Sequence, residues 1–152
     1  MWPFKRRSAG SGTTAVQDDR WAVARGTYEG QPVIVRLNKG AERLIGRPEY
    51  SFRVGVTVPF QDPDERGFPD RSEVKALDAI EDAVCRALED DGEAVHVATI
   101  TTPGMREFVF YTQSAEKALT KIDNIRAATP GHEIQSMSVA DPEWSLYKQL
   151  AF

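Results

Sequence analysis

Between Tyr50 and Phe60, the residues Phe52, Val54, Val56, Val58 and Phe60 alternate with Ser51, Arg53, Gly55 and Thr57. That period of two puts every apolar side chain on one side of an extended backbone, so the segment is predicted to be a strand with one buried face. The segments C-terminal to it must supply the cover. Asp70, with Glu73 three residues on, has the spacing of a capping box, and the helix it starts is expected to run to about Asp90, where Gly92 stops it. Two strands are predicted next, Glu93–Thr101 and Arg106–Thr112, joined by a hairpin at Thr102-Pro103-Gly104-Met105. Ser114 caps a second helix that closes at Thr129-Pro130-Gly131, and His132–Val139 is read as a last strand.

The order from Tyr50 is therefore β-α-β-β-α-β, the split βαβ arrangement of ferredoxin-like folds, and the fold class expected is α+β. An N-terminal hairpin, Trp21–Tyr28 with Pro32–Leu37 around Glu29-Gly30-Gln31, precedes this core. A short C-terminal helix, opened by Asp141 with Pro142 at its first position, comes after it. Two helices cover one face of an antiparallel sheet. The opposite face is then solvated, covered by the extra elements, or used for a partner.

With 152 residues, 41% of them apolar and 28% charged, one domain is the default, expected over 21–152 behind a flexible basic and Gly/Ser-rich segment at 1–20. A net charge of −4 argues against a broad nucleic-acid surface. The single cysteine, Cys85, forbids an internal disulfide and fits a reducing cytoplasm, which is the expected location. No stretch is long enough to span a bilayer, although Trp2 and Phe4 beside Lys5, Arg6 and Arg7 are suited to weak peripheral contact with an anionic membrane.

Several motifs together resemble a known family: Trp21 at the start of the domain, Gly67-Phe68-Pro69, Glu81-Asp82, Arg106-Glu107-Phe108-Val109-Phe110-Tyr111, and Asp141-Pro142-Glu143-Trp144 with Tyr147. In their order and spacing they are similar to the bacterial family named domain of unknown function 695. The resemblance implies no activity, cofactor or catalytic residue. Some members are linked to domains similar to the protein inhibitor of ribonuclease E, which implies a regulatory setting.

The residues themselves offer few reactive groups. His96 and His132 fall on separate predicted strands without ligand spacing, the glycines show no phosphate-loop pattern, and no cofactor is expected. Cys85 reads as a small buried hydrophobe with no activating base in view. Glu81 breaks the pattern, because it falls inside the apolar arc of Val74, Leu77, Ile80, Val84, Cys85 and Leu88 on the first helix. It is expected to be held by Arg126 or by a strand arginine such as Arg53. In the strand Arg106–Tyr111, Phe108 and Phe110 are expected to pack under the helices, with Val109 and Tyr111 on the other face. RNA stacking on those aromatics is the lesser alternative.

The leading functional expectation is a non-catalytic protein-binding or regulatory domain, acting on a partner or on a second copy of itself. The competing classes are a small enzyme assembled from Glu81, Arg53, His96 and Tyr111, and an acidic inhibitor or immunity protein.

Overall fold

The computed structural model describes the backbone over residues 5–11 and 20–152 and the side chains over 20–152. The proposed membrane pegs Trp2 and Phe4, and most of the 1–20 segment, lie outside the described residues. So do the side chains of Lys5, Arg6 and Arg7.

The chain has seven strands and three α-helices among the described residues: β1 (Lys5–Ser11), β2 (Trp21–Tyr28), β3 (Gln31–Asn38), β4 (Phe52–Pro59), α1 (Arg71–Glu89), β5 (Ala94–Thr102), β6 (Met105–Thr112), α2 (Ala115–Ala128), β7 (Gln135–Ala140) and α3 (Ser145–Leu150). Short 3-10 turns at Lys39–Leu44 and Pro48–Tyr50 join β3 to β4. One sheet takes all the strands in the order β1-β2-β3-β5-β6-β4-β7, and every neighbouring pair is antiparallel. The protein is thus α+β. The N-terminal hairpin is not an appendage, because β3 pairs with β5 and widens the sheet.

Two apolar layers result. Val54, Val56, Val58, Phe108 and Phe110 meet Leu77, Ile80, Val84 and Leu88 of α1 and Ala118 and Ile122 of α2. On the other face Val33, Val35, Leu37, Ala98, Ile100, Val109 and Tyr111 are covered by Leu44 and by Trp144, Leu146, Tyr147 and Leu150 of the C-terminal segment. Phe108 and Phe110 pack under the helices, as alternation required, and neither is available to stack on RNA. The face opposite the helices, which alternation alone left open, is closed over β3, β5 and β6. Among the described side chains it is exposed toward the β4–β7 edge, where Met137 and Val139 are each 40% accessible.

Local chemistry explains the joints. Asp70 accepts from the backbone N–H of Glu73 and starts α1, and Ser114 does the same for α2 through Lys117. The reciprocal half of the expected capping box is not made. Glu73 instead turns its carboxylate to the backbone N–H groups of Gln61 and Asp62 and to His132 Nε2 at 3.0 Å. That pull also explains why His132 lies in the loop before β7 rather than in a strand.

Gly67, at φ +93°, brings the 61–69 loop against Pro103: a Cβ there would sit 2.6 Å from the Pro103 Cβ. Its carbonyl accepts from Gly104 N, which clamps the loop to the β5–β6 turn. At the C-terminus the expected helix start moves. Asp141 caps α3 from outside by accepting from Ser145 N at 2.8 Å and Leu146 N at 3.3 Å, so Pro142 sits in the preceding turn and not at the first helical position.

Candidate functional site

Apart from the Glu73–His132 pair at the start of α1, two clusters of buried polar side chains stand out, one on each face of the sheet. On the helix face, α1 carries Glu81 and Cys85 one turn apart, and a β-bulge decides which residues they meet. In β5 the register shifts between His96 and Ala98, so that His96 lies opposite Phe110 while Ala98 lies opposite Val109. Without the extra residue His96 would share a face with Ala98 and Ile100; with it, His96 joins Thr99 under α1. The ring stacks on Phe110 (centroids 4.8 Å apart) and against Trp21 (4.9 Å).

Glu81 is 7% exposed. Its Oε2 accepts from Thr99 Oγ1 at 2.9 Å and from Arg36 Nη1 at 3.1 Å, and His96 Nε2 is 4.0 Å away. The Arg36 guanidinium also lies over the Trp21 ring, 5.1 Å from its centroid. The acid on the apolar stripe is therefore held by a cation, as its position demanded, but neither expected arginine supplies it. Arg126, on α2 above β4 and β7, is spent on the Ile134 carbonyl at 2.7 Å, Ser136 Oγ at 3.0 Å and Asp123. Arg53 points to the opposite face because it alternates with Val54.

His96 Nε2 lies 3.0 Å from the Ala98 carbonyl and 3.0 Å from Thr99 Oγ1. The carbonyl only accepts, so Nε2 carries a proton, and Nδ1 faces Cys85 Sγ at 3.3 Å. A base does therefore stand beside the cysteine, a pairing hidden from the sequence. Its electrostatics oppose nucleophilic use. Burial, followed by the charges of Glu89, Glu81 and Asp82, pushes the Cys85 thiol far above its ordinary range, whereas reactive cysteines sit in electropositive surroundings. The place of Cys85 inside α1 leaves no free backbone N–H beside it to hold an oxyanion. No group of three His, Cys, Asp or Glu side chains converges on a metal position among the described residues.

The second cluster lies beneath the C-terminal segment. Tyr111 donates to Asp141 Oδ2 at 2.7 Å, and Arg53 Nε approaches the same oxygen at 3.7 Å. Burial would raise the Asp141 pKa, but the Ser145 N–H, the Tyr111 hydroxyl and the Leu146 N–H prevail and hold it below the usual carboxylate value. Burial and then Asp141 itself push the Tyr111 hydroxyl up. Trp144, fully buried and at φ 57°, stacks on Tyr111 (4.1 Å, 9°) and donates Nε1 to the Tyr50 carbonyl at 2.8 Å. Tyr147 donates to the Asn38 carbonyl at 2.8 Å. A tryptophan in the left-handed region is uncommon, and here stacking and a hydrogen bond offset that cost. The Asp-Pro-Glu-Trp motif thus acts as a lock on the C-terminus.

Of the four residues considered for an enzyme, Glu81 and His96 come together, and Arg53 and Tyr111 come together, on opposite faces of the sheet. Arg36, Thr99 and Asp141 are the partners sequence reasoning missed. Strand alternation brought Arg36 and Thr99 within reach; only the pairing of β3 with β5, Arg36 opposite Thr99, could place them beside Glu81.

No curated protein and no solved structure matches the chain. A family model, described as a family of unknown function, matches residues 19–151 and so takes in both clusters and every motif from Trp21 to Tyr147. The chain belongs to the family of unknown function DUF695.

Proposed function

We propose that this chain is a non-catalytic protein-binding domain and that its partner adds a strand to the outer edge of β7. The observation that carries this reading is the character of that edge. Natural sheets blunt their outer strands with charges, prolines, bulges or covering loops, because unpaired backbone groups invite another strand. β7, Gln135-Ser136-Met137-Ser138-Val139-Ala140, has no charge and no proline and pairs without a register shift along β4. Met137 and Val139 add an exposed apolar strip beside it. The interior clusters support the non-catalytic half of the proposal, since most of their hydrogen-bonding groups are turned to one another, the buried Arg53 Nε being the exception.

Charge selects the kind of partner. The segments flanking β7 carry exposed Glu133 at one end and exposed Glu143 at the other, and antiparallel pairing of two copies brings unlike ends together, so that like charges gather at both ends, which disfavours self-pairing. A different protein whose strand is apolar in the middle and basic at its ends fits better, which sets the domain apart from a self-associating one and matches its acidity. The order β5-β6-β4-β7 with antiparallel pairs supports assigning β4 to β7 to a ferredoxin-like unit. A free cysteine beside a histidine suits a reducing, cytoplasmic setting.

Affinity capture from the native cell, repeated with Met137→Lys/Val139→Lys, tests the proposal. A partner should be retained by the wild-type chain and lost by the variant at unchanged melting temperature. Capture that survives both substitutions, or sedimentation of the purified chain as a dimer through β7, overturns it.

A further inference from the structure

α1 lies on β5, and α2 on β4 and β7, and among the described residues neither helix lines the groove at the turn end of the β2–β3 hairpin. That groove has a volume of about 890 Å³, within the range of small-ligand sites. Arg25 and Ile34, directly opposite each other across β2 and β3, belong to its floor together with Pro32. The 61–69 loop forms its wall with Glu65, Arg66 and Phe68.

That wall is preformed. Asp64 Oδ1 accepts from Arg66 N at 2.8 Å and Phe68 N at 3.0 Å, Asp64 N donates to the Phe68 carbonyl at 2.7 Å, and Gly67 is pressed on Pro103. The clamp on the β5–β6 turn therefore also fixes the side of a cavity. The chain as a whole is acidic, yet among the described residues the lining of this groove includes two arginines and one glutamate. Unlike Arg36, Arg53 and Arg126, whose guanidinium groups lie against carboxylates, Arg25 and Arg66 are exposed and make no ion pair within 4.0 Å among the described residues, although the charge of Arg66 acts on the neighbouring Asp64 carboxylate. Ile34, Pro32 and Phe68 line the same space with apolar surface.

We infer that this groove binds a small amphiphilic anion, an acyl or aryl body lying on Ile34, Pro32 and Phe68 with a carboxylate or phosphate head between Arg25 and Arg66. A guanidinium pair is suited to either head group, because its planar fork donates two bonds at once to carboxylate or phosphate. The apolar body supplies most of the affinity through surface removed from water, and the arginines supply the choice of charge. The site is separate from the β7 edge, at the other side of the sheet, and stands whether or not a protein binds there.

Titration of the full chain with dodecanoate, dodecyl phosphate, dodecanol and dodecylamine, followed by backbone amide shifts and calorimetry, tests the inference. The two anions should bind with shifts centred on 25–34 and 65–68, and the comparison between them identifies the preferred head. Dodecanol should bind at least about tenfold more weakly, and dodecylamine more weakly still. Arg25→Gln and Arg66→Gln alter exposed side chains, so the fold should be kept, and each should weaken the anions about three- to fivefold, the worth of a solvent-exposed charge pair, while leaving dodecanol unchanged. Ile34→Ser should weaken all the ligands together. Anion binding that is unaffected by both arginine changes, equal binding of the four probes, or shifts located elsewhere overturns the proposal.

Discussion

Replacing Glu81 by Gln keeps the shape of the side chain and removes its charge, so it isolates the contribution of the ionised group on the apolar face of α1. The structure sets the scale. Oε2 receives two hydrogen bonds, from Thr99 and from Arg36, and a glutamine carbonyl can occupy the same position and receive both. The loss is the charge assistance, about 1 kcal/mol for each bond when bonds to charged and neutral groups are compared. The Arg36 contribution must be discounted, because its side chain is 42% exposed against 9% for Glu81, and water competes for an exposed guanidinium. The expected cost is about 1–2 kcal/mol, well short of the roughly 3–5 kcal/mol for breaking a fully buried pair. For a domain of this size that lowers the melting temperature by about 3–6 °C. Calorimetry at pH 7 on the wild type, Glu81→Gln, Arg36→Gln and the double variant completes the cycle, with a coupling energy under about 1 kcal/mol expected. A Glu81→Gln protein as stable as the wild type would refute the network, and a loss above about 4 kcal/mol would show that Arg36 is shielded from water.

Two further outcomes concern the second cluster and the cysteine. Asp141 has a depressed pKa in the folded chain, so the stability it contributes is present above its unfolded value near 4 and is lost as the pH falls through that value toward the folded one. Tyr111→Phe removes one of the bonds that depress it; the variant should lose about 1.5–3 kcal/mol at pH 7 and show a shallower decline in stability between pH 5 and pH 2, read by urea titration across that range. The Cys85 thiol, raised by burial and by neighbouring carboxylates, should react with iodoacetamide at pH 8 at least about tenfold more slowly in the native chain than in denaturant, followed by mass spectrometry. Equal rates in the two states would mean that the helix does not hold it as described.

Strand and helix identity was legible because each depends on spacing along the chain. Alternation in β4 named its buried face, and Asp70 and Ser114 marked the helix starts, since a cap acts within three residues. Glu81 stood out for the same reason, as an acid inside an apolar arc. Pairing partners were not legible. Arg36 is 45 residues from Glu81 and Tyr111 is 30 from Asp141, and each contact exists only because a particular strand lies beside or beneath a particular helix. Arg126 had the right charge for Glu81 but belongs to the helix over the far strands.

From β2 onward the amino-acid sequence by itself determined the order of strands and α-helices, the apolar patterning of the sheet strands and the one charge that had to be neutralised inside, whereas β1 lies in a segment whose composition reads as a linker. These properties rest on local geometry and on the cost of burying a polar group alone. Only the tertiary structure decided which face each cluster occupies, and the bulge at His96–Ala98 shows why: one unpaired residue reverses the alternation for everything beyond it, placing His96 under α1 beside Cys85. Closure of the second face by Trp144 and Tyr147 was decided in the same way, by the C-terminal segment folding back across strands distant in sequence.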